Sequence, residues 1–331
     1  MLMLLIGLLV GCTQPAAGEE DTASADLEES PVVPEEEVPS VALALNGSTN
    51  DGGWNASGYN SLMVLAEKYG AEVSYTEEVS QSDMEEVFRG YAELGFDIMV
   101  GHGSQFTDAI TNVAPSYPDQ HFIIINGNDP AFDNVSCVQL ANEHTGFLMG
   151  SFAALMTKSG TVGFIGGMDI PPITLGMKGF EAGAKFINPD IEVLSTIIGN
   201  AQDAAMAKET ASAFIDAGAD ILGHVANNAG LGVIEATQER QIRAIGSMID
   251  QYDIAPDTVM VSVLNNNELM YDYFYARYVD GSLEQKVYKV GLGEEAVFMS
   301  PYHGFEDQIP EAVKQEMQRV EEAILAGELT L

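Results

Sequence analysis

Ten short apolar runs, each the length of one strand and set apart by segments of helical period, confine this chain to a wound α/β architecture. The first series is "VALALN" (41–46), "EVSYTEEV" (72–79), "DIMVGHG" (97–103), "HFIIING" (121–127) and "VSCVQLA" (135–141). The second is "GTVGFIGG" (160–167), "IEVLSTIIGN" (191–200), "DILGHVAN" (220–227), "RAIGSMI" (243–249) and "TVMVSVLN" (258–265). Amphipathic segments such as "WNASGYNSLMVLAEKYG", "DMEEVFRGYAELG" and "DAAMAKETASAFIDAGA" lie between them. Strands alternating with helices of this length form parallel sheets covered on both faces. Two series of five predict two Rossmann-like α/β lobes joined by hinge strands, and a length of 331 residues fits two domains. The boundaries fall at 41–141 with 265–285 for the first lobe and 142–264 with 286–331 for the second.

Ligands of open parallel sheets bind outside the carboxyl ends of the strands. Several strands here finish on asparagine: Asn46, Asn126, Asn200, the pair Asn227 and Asn228, and Asn265. Asparagine also tolerates left-handed turns, which gives each position a purely structural alternative. Recurrence in both halves points instead to a rim of carboxamides, which donate and accept hydrogen bonds without charge and suit a neutral, polydentate guest. Lysine and arginine are absent from these strand ends. They sit on helical segments (Lys68, Arg89, Lys185, Lys208) or at the entering end of a strand (Arg243), so an anion that would draw an arginine fork is disfavoured.

The loop "NGSTNDGGWN" (46–55) follows the first strand and holds the single tryptophan. Its glycines allow close approach of backbone to a ligand. Trp54 there reads either as a stacking wall, worth about 1–3 kcal/mol against a base, or as a residue packed under the loop. The candidate binding set is Asn46, Asp51, Trp54, Asn55, His102, Ser104, Asn126, Asn200, Asn227, Met248 and Asn265, with His224 also near a strand end.

Charge narrows the partners. Fifty acidic against 13 basic residues leave a formal net charge of -37, which repels nucleic acid and anionic membrane surfaces. Such a surface suits either a high-salt habitat or an acidic extracellular protein. The opening "MLMLLIGLLVGC" is too short to span a bilayer. It resembles a lipoprotein signal (1–12) whose Cys12 is acylated, the other reading being a plain secretory leader. Residues 13–40 are rich in Pro, Ala, Ser and Glu and cannot bury a core. They read as a tether, reaching up to ~90 Å when extended. With Cys137 the only other cysteine, neither an internal disulfide nor a cysteine-type metal site is expected, and no cofactor is called for.

The segments "STNDGGWN", "HTGFLMGSFAALMTKSGTVGFIGG", "GMKGFEAGAKFINPDIEV", "GADILGHVANNAGLGVIEA" and "IGSMIDQY" together resemble the basic membrane protein family of substrate-binding lipoproteins, from about Val41 to Tyr302. The resemblance implies a type 1 periplasmic-binding-protein fold and a monomer tethered to the outer face of the membrane. It also implies an ABC permease as partner and a purine nucleoside as ligand. The family's aromatic-Asn pair on the base falls on Trp54 and Asn55. Its aspartates at two strand ends fall on Asn46 and Asn126, its second aromatic wall on Ala201, and its ribose-holding aspartate and lysine on Met248 and Asn265. A thioether cannot accept sugar hydroxyls as a carboxylate does, so the expected guest is a purine base or nucleoside, with a sugar as the alternative. Closure would pivot about Leu140–Asn142, Leu264–Asn266 and Lys286–Lys289. A ligand sensor on the same scaffold is the other binding role. Catalysis is not expected: no nucleophile elbow, Walker loop or HExxH occurs, and "GFIGG" lacks the GxGxxG spacing.

Overall fold

A computed structural model describes residues 38–50 and 54–328. The leader with Cys12, nearly all of the tether, and Asp51 lie outside them. From Val38 on, the chain forms one compact unit.

The strand β1 (Val41–Ala44) leads through α1 (Trp54–Tyr69) to β2 (Val73–Thr76), α2 (Met84–Leu94), β3 (Ile98–Gly101), α3 (Thr107–Val113), β4 (His121–Ile125) and β5 (Val135–Leu140). Helix α4 (Asn142–Met156) opens the second series: β6 (Thr161–Gly166), α5 (Pro171–Ile187), β7 (Glu192–Ile197), α6 (Ala204–Asp216), β8 (Ile221–Val225), α7 (Gly230–Glu239), β9 (Arg243–Met248) and β10 (Val259–Asn265). Then follow α8 (Asn267–Val279), β11 (Val287–Val290), β12 (Val297–Met299) and α9 (Glu311–Leu325). All ten apolar runs are strands. They form two sheets, ordered β11-β5-β4-β3-β1-β2 and β12-β10-β9-β8-β6-β7, parallel throughout except for the β10–β12 pair.

Both faces of each sheet are covered, which is why the strands read as continuous apolar runs. Period-two alternation sends Val41, Leu43 and Leu45 to one core and Ala42 and Ala44 to another on the opposite face. The first of these cores is continuous across both sheets, joining Leu62 and Ile123 to Phe164, Phe180 and Met260. Helices α4 and α5 meet almost backbone to backbone: a Cβ on Gly146 would lie 1.8 Å from the Gly176 carbonyl oxygen, and one on Gly150 2.0 Å from that of Phe180.

The chain crosses between the sheets three times, always from one carboxyl edge to the other. Strand β5 ends at the entry to α4, which packs against β8 and β10 of the second sheet. Strand β10 ends at the entry to α8, which packs on α1 beside the first. The third crossing differs from the expectation. Strand β11 pairs in parallel with β5, Val287 opposite Cys137, so residues 286–290, assigned above to the second lobe, belong to the first sheet. The crossing lies beyond them, in Gly291–Ala296. A strand was expected near Lys286–Lys289, but its sheet was not legible, because "VYKV" gains its ladder only from a partner about 150 residues away. The three crossings run side by side: Ala141 N donates to Val290 O (2.7 Å) and Asn266 N to Ala296 O (2.8 Å). Lys289 of β11 also bridges to Glu143 of α4 at 2.7 Å. The carboxyl edges of both sheets therefore face the same seam.

Candidate functional site

Within the first sheet, strand order reverses between β1 and β3, the position at which α/β sheets hold ligands. A pocket of about 480 Å³ opens there. Asn46 and Ser104, both predicted, line it together with Ser80, Gln81, Gln105 and Asp108, over Val79 and Met84. Ser80, Gln81, Gln105 and Asp108 escaped sequence reasoning. Their signal was present in "SQSD" and "SQF", polar runs directly after two predicted strands. The lining is hydroxyl and amide with one carboxylate and no cation, a chemistry that recognises neutral polar groups.

Trp54 is the first residue of α1 and is half-buried. Its indole stacks on the His102 imidazole with ring centroids 4.0 Å apart and planes 19° from parallel. The indole Nε1–H donates to His102 O (3.2 Å), and His102 Nε2 bonds to Trp54 O (2.9 Å). A carbonyl only accepts, so Nε2 carries the proton and Nδ1 accepts from the Tyr271 hydroxyl at 2.9 Å. Burial holds the Tyr271 hydroxyl far above its ordinary pKa, so it remains a donor. Gly58 permits this packing, since a Cβ there would lie 2.6 Å from the imidazole. His102 is wholly buried, which corrects its expected place facing a ligand: it is the bed on which the indole lies. One face of Trp54 is thus packed on a rigid support.

The carboxamides divide. Asn46 and Asn227 are exposed at their strand ends. Several others are engaged by backbone or neighbouring side chains: Asn55 Oδ1 accepts Gly47 N (3.1 Å), Asn200 Oδ1 accepts Gln202 N (3.0 Å), Asn126 Oδ1 accepts Leu140 N (3.4 Å) and Asn265 Oδ1 accepts the Thr145 hydroxyl (3.2 Å). Asn126 and Asn227 also adopt positive φ, 58° and 45°, the turn role that asparagine fills readily. These bonds fasten the loops that carry the four residues. The pocket gathers Asn46 and Ser104 alone of the predicted set. Met248, at φ 70°, holds a conformation costly for an unbranched apolar residue and closes β9 on the second sheet's carboxyl edge. The loop after β1 is further pinned by Glu77, which accepts the Thr49 backbone N–H (2.7 Å) and hydroxyl (2.9 Å). These bonds, the backbone one foremost, hold its carboxyl below the usual range.

His224 is 1% exposed, and neither ring nitrogen finds a partner among the described residues. Burial lowers its pKa to about 4, against a smaller upward push from the Gln251 side chain. Gln251 is itself engaged, its Oε1 accepting Ser247 N at 3.0 Å. A neutral, enclosed imidazole of this kind belongs to the interior and not to a ligand surface. Among the described residues no helix is long and apolar enough to cross a membrane, and no cluster of three or more metal-ligating side chains occurs.

Comparison with known proteins agrees with this geometry. Transcriptional activator protein med of Bacillus subtilis (strain 168) is 29% identical over 272 residues, covering 82% of this chain and 84% of its own. A purine-binding protein of Brucella abortus (strain 2308) is 27% identical over 297 residues, covering 89% and 83%. A solved ABC transporter system solute-binding protein from Aeropyrum pernix K1 superposes with a TM-score of 0.74 at 22% identity, over 88% of this chain and 92% of that one, and shows the same fold. The Bmp family model, described as ABC transporter substrate-binding protein PnrA-like, matches residues 38–331, and the chain belongs to that family.

Proposed function

We propose that this protein is the extracytoplasmic receptor of an ABC importer, lipid-anchored through Cys12, and that it binds a purine base or nucleoside between two lobes that close about the three crossings. The reading rests above all on the polar, cation-free pocket at the β1/β3 reversal, and on an indole entering from the loop after the same β1 and held in place by His102. A flat π-face next to hydroxyl and amide groups suits a heteroaromatic ring with donors and acceptors on its edge. Purine-binding is also the printed description of the Brucella abortus relative. The side chains contributed would be Asn46, Trp54, Asn55, Ser104 and Asn126 from the first lobe, with Asp51 in the same loop, and Asn200, Asn227, Met248 and Asn265 from the second. Lobe closure is a population shift driven by contacts that the ligand makes to both edges only in the closed form.

A sensory role on the same scaffold is the second reading, favoured by the relative described as a transcriptional activator. Direct contact with DNA by this chain is opposed by 41 acidic against 13 basic residues beyond position 40.

A thermal-shift screen of purine bases, nucleosides, sugars and amino acids tests the ligand class, with Trp54 emission as a second readout. A purine is expected to raise the melting temperature and change that emission. Trp54→Ala should weaken binding about five- to hundredfold, the equivalent of one base stack. A sugar or amino acid that stabilises the protein while purines do nothing would overturn the purine reading and leave the receptor role standing.

A further inference from the structure

The two carboxyl edges that meet at the seam differ in chemistry. In the described loops leaving β1 to β4 no large apolar side chain is exposed, and the polar part of the pocket there is amides, hydroxyls and the Asp108 carboxylate. The second edge also carries exposed amides, Asn200, Asn227 and Asn228, but adds exposed apolar side chains. Met168 and Ile170 after β6, Met206 in the first turn of α6, Leu231 in the first turn of α7 and Ile249 after β9 are 41% to 63% exposed. Strands β6 to β9 are parallel, so these side chains lie at one end of one sheet, next to Met248. Isolated exposed apolar residues are ordinary, but five concentrated on one edge mark a contact surface.

The carboxylates on this edge are mostly committed. Asp203 Oδ1 accepts Met206 N at 2.9 Å. Asp250 accepts His303 Nε2 (2.6 Å) on one oxygen and Tyr252 N (3.1 Å) on the other. Lys208 of α6 is bridged to Glu235 and Glu239. Asp169 is the exception, an exposed carboxylate between Met168 and Ile170.

We propose that the apolar second edge makes the site select a guest without sugar hydroxyls, a free purine base in preference to its nucleoside. This rests on the purine-binding reading above. The polar pocket reads the donors and acceptors of the base, while the methionine-rich edge closes over the ring by apolar contact, which thioethers and isoleucine supply with little demand on geometry. A ribose packed against these apolar side chains loses its bonds to water and gains no acceptor from them. Each hydroxyl buried without a partner weakens binding on the order of tenfold.

Isothermal titration of the full chain with adenine and adenosine, and with hypoxanthine and inosine, tests this. The expected result is that each base binds at least about tenfold more tightly than its nucleoside. Met248→Asp puts a hydroxyl acceptor on the edge, in a backbone conformation that aspartate tolerates better than methionine, and should narrow that ratio about tenfold. Nucleosides binding as tightly as bases overturn the inference and leave the purine reading intact. If neither binds, the purine reading fails and takes the inference with it. If the chain sediments as a dimer that Ile249→Ser dissociates, with no base preference, the edge is covered by a second copy and the inference is wrong.

Discussion

Replacing Gly150 by alanine probes the contact that sets α4 against α5, and hence the placement of the first crossing and of the loop carrying Met168 and Ile170. The new methyl would lie 2.0 Å from the Phe180 carbonyl oxygen, whereas carbon and carbonyl oxygen approach to about 3.3 Å. The helices must part by more than an ångström. Phe180 cannot yield easily, because its ring is fully buried in the core shared by both sheets. Helix propensity favours alanine by about 1 kcal/mol, and overpacking of a tight interior costs about 1–3 kcal/mol or more. With backbone carbonyl oxygen as the obstacle the upper part of that range applies, and overpacking wins by up to about 2 kcal/mol. Gly90 in α2 is the control: nothing lies within 4 Å of its added Cβ, so Gly90→Ala keeps the propensity gain and should stabilise by about 0.5–1 kcal/mol. Urea unfolding followed by far-ultraviolet circular dichroism, with a common slope for the variants, separates the two. Opposite shifts of the midpoint are expected. A Gly150→Ala midpoint at or above that of the unsubstituted protein refutes the close-contact argument.

Two further outcomes follow from the buried histidines. Tyr271→Phe removes the buried hydrogen bond to His102 Nδ1, which should cost about 0.5–1.5 kcal/mol in urea unfolding and alter Trp54 emission; unchanged stability and emission would show that the imidazole does not depend on Tyr271. His224 titrates near 4 in the fold against an ordinary 6.5, so the unfolded chain takes up a proton that the folded one refuses. Stability is intact above about pH 6.5 and falls as pH drops toward 4, by on the order of 3 kcal/mol. His224→Leu should flatten that part of the stability profile relative to the unsubstituted protein, and parallel profiles would contradict it.

The sequence by itself determined the ten core strands and their division into two series. Those features follow from local patterning: runs apolar on both faces, helical period between them, and polar residues where each run stops. It also placed Trp54 at the mouth of the first sheet. Tertiary structure alone decided what each polar side chain does there. His102 looked like a ligand group because it ends a strand, and only the arrival of Tyr271 from 169 positions away shows it enclosed beneath the indole. That the oxygens of Asn200 and Asn265 accept from Gln202 N and the Thr145 hydroxyl was likewise not legible from their places at strand ends. The strand β11 and the true third crossing needed the same long-range pairing. Local sequence fixes periodicity and turn chemistry, whereas a side chain's partner depends on which distant segment packs against it, and that contact is made only when the core closes.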